Sequence, residues 1–129
     1  MKRKTYLQEL YNEIMNRFPE HITIEQASKI SGVSKTKLKA DFQKEYGMSY
    51  YSYFRKERMK LAAQLLLETK QKIIDIAEAV GYENSSKFAK AFRDVTGFSP
   101  SEYRRNMKKP VLFDNELANA NKISERRIV

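Results

Sequence analysis

Cysteine is absent from this 129-residue chain, which excludes disulfides, thiolate metal sites and cysteine nucleophiles. Histidine occurs once, as His21, just beyond Pro19 at a junction between two helical patterns. A loop or capping role suits it there better than that of a catalytic base. Asp75 and Glu78 lie three apart on a helical stretch, but no histidine or metal-ligand cluster joins them, so acid–base work has no constellation behind it. No apolar run approaches the ~20 residues of a membrane span. The opening residues also lack the basic, apolar, small order of a signal peptide. Glycine (4) and proline (3) are scarce, and each falls where a helical pattern stops or starts. No enzyme, cofactor or metal is expected, and the expected setting is the cytoplasm.

What is present is charge of one sign. Lys and Arg number 25 against 16 Asp and Glu, a net charge of +9. That balance favours a polyanion as partner, nucleic acid above all. A lipid surface is the other candidate, but no segment combines a strongly basic face with a wide apolar one. The length suits one compact domain, or two small lobes sharing a connector.

Leu7, Leu10, Tyr11, Ile14 and Phe18 recur with helical spacing and predict a helix from Thr5 to Phe18, ended by Pro19. A short helix follows from Ile24 to Ser31 and stops at Gly32. Ser34 caps the next, which runs to about Tyr46 with Leu38 and Phe42 one turn apart on its inner face. Ser49 caps a long helix reaching about Glu68. Lys72 to Val80 and Asn84 to Val95 predict two more. Ser99-Pro100-Ser101-Glu102 opens the last with a capping box and a proline at the first helical position. No stretch alternates with period two for long enough to be a strand, so the fold class is all-α. From about Lys108 the pattern dissolves, and residues 108–129 read as a tail that docks or frays, with no legible role.

The chain also says the same thing twice, fifty positions apart. Ala27, Ile30, Leu38, Phe42, Gly47, Ser49 and Tyr53 match Ala77, Val80, Phe88, Phe92, Gly97, Ser99 and Tyr103. Ser34 pairs with Asn84, and Gly32 with Gly81 after a one-residue slip. These are framework residues, and those between them differ freely. Each unit is two short helices joined by a tight glycine-containing turn, the helix-turn-helix arrangement. Its physics suits DNA: the second helix keeps one face in the core and leaves the opposite face free to enter a major groove. In the first unit that free face carries Lys35, Thr36, Lys37, Lys39 and Ala40. In the second it carries Ser85, Ser86, Lys87, Ala89 and Lys90. Lysines reach guanine edges or phosphates, hydroxyls bond to either, and alanine contacts a thymine methyl. The long helix, about 18 residues at ~1.5 Å, is a rod of roughly 27 Å. With its flanking lobes it can meet the ~34 Å between successive major grooves on one DNA face.

Ile76-Ala77, Val80-Gly81-Tyr82, Phe88, Phe92-Arg93, Gly97-Phe98-Ser99-Pro100 and Tyr103-Arg104 together resemble the signature of the AraC/XylS family of bacterial transcription regulators. The match is strong over the second unit, looser over Ala27 to Gly47, and runs from about Tyr6 to Arg105. The resemblance implies a seven-helix DNA-binding domain over 1–107. Its lobes fall at about 6–48 and 72–107, its linker helix at about 50–69, and two recognition helices enter adjacent major grooves. It implies base-reading by Thr36, Lys39 and Ala40 and by Ser85, Ser86, Lys87 and Lys90. Ala40 and Ala89 depart from the longer polar residues of some members. Phosphate contacts are expected from Lys35, Lys37, Lys72 and Arg93. Many members carry a separate ligand-binding or dimerisation domain. This chain is then either a stand-alone member or the C-terminal piece of a longer regulator, the second being favoured. A DNA-repair relative of the same fold that transfers methyl groups is excluded, because that chemistry needs cysteine.

Arg55, Lys56, Arg58, Arg104 and Arg105 either grip phosphates or serve solubility. The tyrosines at 46, 50, 51 and 53 are expected in core and lobe packing rather than stacked on single-stranded bases. The expected function is sequence-specific binding of double-stranded DNA for transcription regulation, activation by family precedent, near the nucleoid, with RNA polymerase as a candidate partner. Its rivals are an architectural DNA binder without sequence preference and a protein-interaction module.

Overall fold

The structure, a computed structural model, describes residues 5–107. The expected tail, 108–129, lies outside the described residues. Among those described are seven helices and no strand: α1 (Tyr6–Arg17), α2 (Ile24–Ser31), α3 (Lys35–Tyr46), α4 (Tyr50–Glu68), α5 (Ile73–Ala79), α6 (Ser85–Thr96) and α7 (Pro100–Asn106).

The chain starts its helices by one device. Thr5, Thr23, Ser34, Ser49, Asn84 and Ser99 each accept a hydrogen bond from the backbone N–H three residues on. Each such cap is worth about 1 kcal/mol by satisfying an otherwise orphan donor. Only α5 lacks one, because Lys72 occupies its cap position. Gly32, Gly47 and Gly97 close α2, α3 and α6 in the left-handed conformation.

The buried residues form two separate clusters. Leu7, Leu10 and Ile14 of α1 pack with Ile22, Ala27, Leu38, Phe42, Tyr50 and Phe54. Met59, Ala62, Ala63 and Leu66 pack with Ile76, Ala77, Val80, Phe88, Ala91, Phe92 and Tyr103. Helix α4, 19 residues long, belongs to both. Its first half is the last helix of the first lobe, and its second half is the first helix of the second. That sharing explains the repeat: Ser49 opens α4 as Ser99 opens α7, and Tyr53 stands where Tyr103 does fifty positions on.

The repeat pairs Ile30 with Val80 as framework, yet Ile30 is 39% exposed while Val80 is fully buried. Helix α2 continues through Ser31, so Ile30 is still helical and faces outward, whereas α5 ends at Ala79 and its cap residue Val80 turns inward. The one-residue slip between Gly32 and Gly81 has the same origin. Tyr46, Tyr50 and Tyr53 pack around Phe42 as expected, at ring separations of 4.4, 5.4 and 5.5 Å. Tyr51 instead projects from α4, 70% exposed, with the Arg55 guanidinium 5.8 Å from its ring centre.

The expectation that Arg58 and Arg104 grip phosphates or serve solubility misses their structural role, since both guanidiniums are held on backbone carbonyls. Arg58 is buried. Its Nη1 donates to the carbonyls of Pro19 and Val80, and its Nη2 to that of Glu20. Burial lowers its pKa, but a guanidinium starts so high that it stays charged. Arg104 donates to the carbonyls of Leu66 (3.0 Å), Gln71 (2.7 Å) and Thr69 (3.2 Å), tying α7 to the end of α4.

Candidate nucleic-acid interface

Helices α3 and α6 are each the second helix of a helix-turn-helix unit. Leu38 and Phe42 anchor α3, and Phe88, Ala91 and Phe92 anchor α6, all turned into the cores. The opposite faces are open. Lys35, Thr36, Lys37, Lys39 and Ala40 are exposed on α3, as are Ser85, Ser86, Lys87, Lys90 and Arg93 on α6; only Ala89 is half-buried. Lys72 is exposed too, at the start of α5.

The first turns carry an electrostatic signature. Helices α1, α2, α5 and α7 each place an acid there (Glu9, Glu25, Asp75 and Glu102). Such an acid stabilises the positive end of the helix dipole. Helices α3, α4 and α6 have none. The amino ends of the two presenting helices therefore remain uncompensated, as an approach to polyanion requires.

Further along, each presenting helix holds one of its own lysines with an acid one turn later. Lys37 meets Asp41 at 2.7 Å, and Lys90 meets Asp94 at 3.7 Å. Each acid is also gripped from another helix of the fold, Asp41 by the Tyr6 hydroxyl and Asp94 by Arg55 at 3.7 Å. Lys37 and Tyr6 hold the Asp41 carboxyl below its ordinary pKa. Burial, with the carboxylate beside it, pushes the Tyr6 hydroxyl up to about 12. Lys35 lies 3.8 Å from Glu25. Lys39 and Lys87 have no such partner among the described residues and are the least encumbered cations of the two faces.

A family model described as a helix-turn-helix domain matches residues 27–106, well over half the chain. An uncharacterised helix-turn-helix-type transcriptional regulator of Escherichia coli K12, YdiP, is 36% identical over 108 residues, covering 84% of this chain and 36% of its own length. The lactose operon transcription activator of Staphylococcus xylosus is 34% identical over 100 residues, 78% of this chain and 36% of that protein. Among solved structures, the C-terminal domain of AraT, a response regulator from Geobacillus stearothermophilus, superposes with a TM-score of 0.77 at 32% identity, over 84% of this chain and 91% of that one. This chain belongs to the AraC/XylS family. It spans about a third of the length of those curated relatives.

The seven-helix, two-lobe architecture that the AraC/XylS resemblance implied is the one observed. The structure brings the expected reading residues onto two faces, Thr36, Lys39 and Ala40 on α3 and Ser85, Ser86, Lys87 and Lys90 on α6. Of the expected phosphate residues, Lys35 and Lys37 lie beside the α3 set, Arg93 beside the α6 set, and Lys72 at the N-cap of α5. Sequence reasoning missed the tethered acids. The i, i+4 spacing of Lys37 with Asp41 and of Lys90 with Asp94 signalled half of each arrangement, but the partners Tyr6 and Arg55 come from distant helices and left no local trace.

Proposed function

We propose that this chain is the DNA-binding part of a transcription regulator. It binds double-stranded DNA by laying α3 and α6 into successive major grooves. Lys39, Thr36 and Ala40 read one box, and Lys87, Ser85, Ser86 and Lys90 read a second, unlike one. Lys35, Lys37, Lys72 and Arg93 grip phosphates, which supply most of the affinity and the salt dependence. The unit spans residues 1–107 with its lobes joined by α4, acts without catalysis in the cytoplasm, and activates transcription through contact with RNA polymerase.

One observation carries this reading. At matched positions of a repeated unit, two helices present exposed, basic, acid-free first turns while their other faces are locked in separate cores. Helix α4 also lacks a first-turn acid, but its first turn carries no lysine or arginine, whereas those of α3 and α6 do, at matched repeat positions. In support, a relative over 30% identical across most of this chain is a transcription activator.

The test is selection from a random duplex pool by this chain near physiological salt. Enrichment of two unlike boxes about one helical turn, ~10 bp, apart is the expected result. Binding without enrichment would replace the regulator reading with an architectural one. No binding even at low salt would replace it with a protein-interaction module.

A further inference from the structure

The two hydrophobic clusters share no residue. Apolar packing therefore holds each lobe together but leaves their mutual orientation to α4 and to whatever else crosses between them. What crosses is polar and centres on Arg58, 5% exposed. Its planar fork reaches both lobes at once. Pro19 and Glu20, in the turn between α1 and α2, supply two of the accepting carbonyls, and Val80, at the end of α5, supplies the third. The Phe18 ring lies 5.4 Å from the guanidinium carbon.

A second tie runs beside the first. His21 of the first lobe donates from Nε2 to the Gly81 carbonyl at 2.6 Å, and its ring meets Tyr82 edge-on at 6.2 Å. Gly81 sits in the turn that launches α6, and a Cβ on it would lie 2.6 Å from Arg58 Nη1. The glycine thus lets that turn close down on the other lobe. Both ties end at this one turn, immediately before the second presenting helix. They fix where α6 stands relative to the first lobe.

We infer that Arg58 and His21 are positioning residues that set the separation of α3 and α6, and through it the spacing between DNA boxes that this chain accepts. The inference rests on the reading that each of the two helices reads a box. A guanidinium that bridges three carbonyls adds a second constraint on rotation of one lobe about α4, beside the helix itself, which by nature can curve gently. An inserted base pair displaces one box by ~3.4 Å and about a tenth of a turn. A locked pair of lobes cannot follow that displacement.

The experiment uses the full chain and the two boxes it selects from random duplex, placed at the selected separation and at one base pair more or less. Affinity is measured for wild type, His21→Ala, His21→Gln and Arg58→Lys, each checked for helical content and melting. Wild type is expected to lose roughly tenfold in affinity at the altered spacings, the order of a mismatched base pair. His21→Ala and Arg58→Lys should lose at most about threefold, while affinity for a duplex bearing one box is unchanged. His21→Gln, which keeps an N–H for the Gly81 carbonyl, should retain the wild-type profile. If Arg58→Lys does not fold, the histidine pair decides alone. Folded His21→Ala or Arg58→Lys proteins that keep the wild-type spacing profile would overturn the inference. A wild type that enriches only one box would overturn the two-box reading itself, and this inference with it.

Discussion

Gly81 has no room for a side chain because Arg58 stands where one would go, with Nη1 2.6 Å from an ideal Cβ and the His21 ring at 3.0 Å. Its φ of +93° is unfavourable for any L residue in addition. Gly81→Ala should therefore cost about 2–4 kcal/mol, combining backbone strain with overpacking against a guanidinium that three carbonyls hold in place. Gly32→Ala, at φ +72° with open space around the Cβ, should cost only the strain, about 1–2 kcal/mol. Urea denaturation of both variants checks the difference. Equal losses would mean that the Arg58 cluster yields easily.

Lys39 and Lys87 are exposed on the open faces of α3 and α6 and are proposed to read bases. Lys39→Ala and Lys87→Ala should each relax preference within one box and leave the other box untouched, at about 1–3 kcal/mol of lost discrimination. Arg93→Ala should weaken every duplex alike and reduce the salt slope by about one. Repeating the selection with each variant reads the outcome. Uniform loss across sequences for Lys39→Ala would make that residue a phosphate clamp.

Asp94 occupies Lys90 and Arg55 together, each at 3.7 Å. A carboxylate there repels phosphate and occupies two cations that DNA would otherwise recruit. Asp94→Asn should raise affinity for random duplex by roughly two- to fivefold, the scale of exposed ion pairs, and so narrow the ratio of specific to non-specific binding. Competition titrations against random duplex measure it directly. Unchanged non-specific affinity would show that the acid does not restrain its lysine.

Asp41 links stability to pH. Its folded pKa lies below the ordinary 3.8, through the Lys37 and Tyr6 hydrogen bonds. The sign follows from linkage: a depressed acid contributes stability above its unfolded pKa and loses it as pH falls through the folded value. Asp41→Asn should thus lower the melting temperature at neutral pH and converge with wild type as pH drops below 3.8. A constant difference between the two melting curves down to strongly acidic pH would contradict this.

Elements that depend on local chemistry were legible in the sequence. Helix starts were readable because Ser34, Ser49, Asn84 and Ser99 cap through their own side chains. The presenting faces were readable because Leu38 with Phe42, and Phe88 with Phe92, mark the inner side by spacing alone. What escaped was long-range and polar. Nothing near Arg58 in the sequence distinguishes it from Arg55 or Lys56, because its partners at Pro19, Glu20 and Val80 are backbone carbonyls, which every residue has. His21 was read as a loop residue, which it is, but its bond to Gly81 spans sixty positions. Ile30 misled because periodicity places a residue on a helix face, while the length of α2 relative to α5 decides where that face points.

Missing-nucleoside interference on a duplex selected by this chain bears on whether both presenting helices read bases. Each gap in the DNA reports whether that nucleoside is needed for binding. Two clusters of interference about one helical turn apart, ~10 bp centre to centre, one lost in Lys39→Ala and the other in Lys87→Ala, are the expected result. A single cluster insensitive to one of these substitutions would contradict it, leaving the corresponding lobe as a holder of backbone alone.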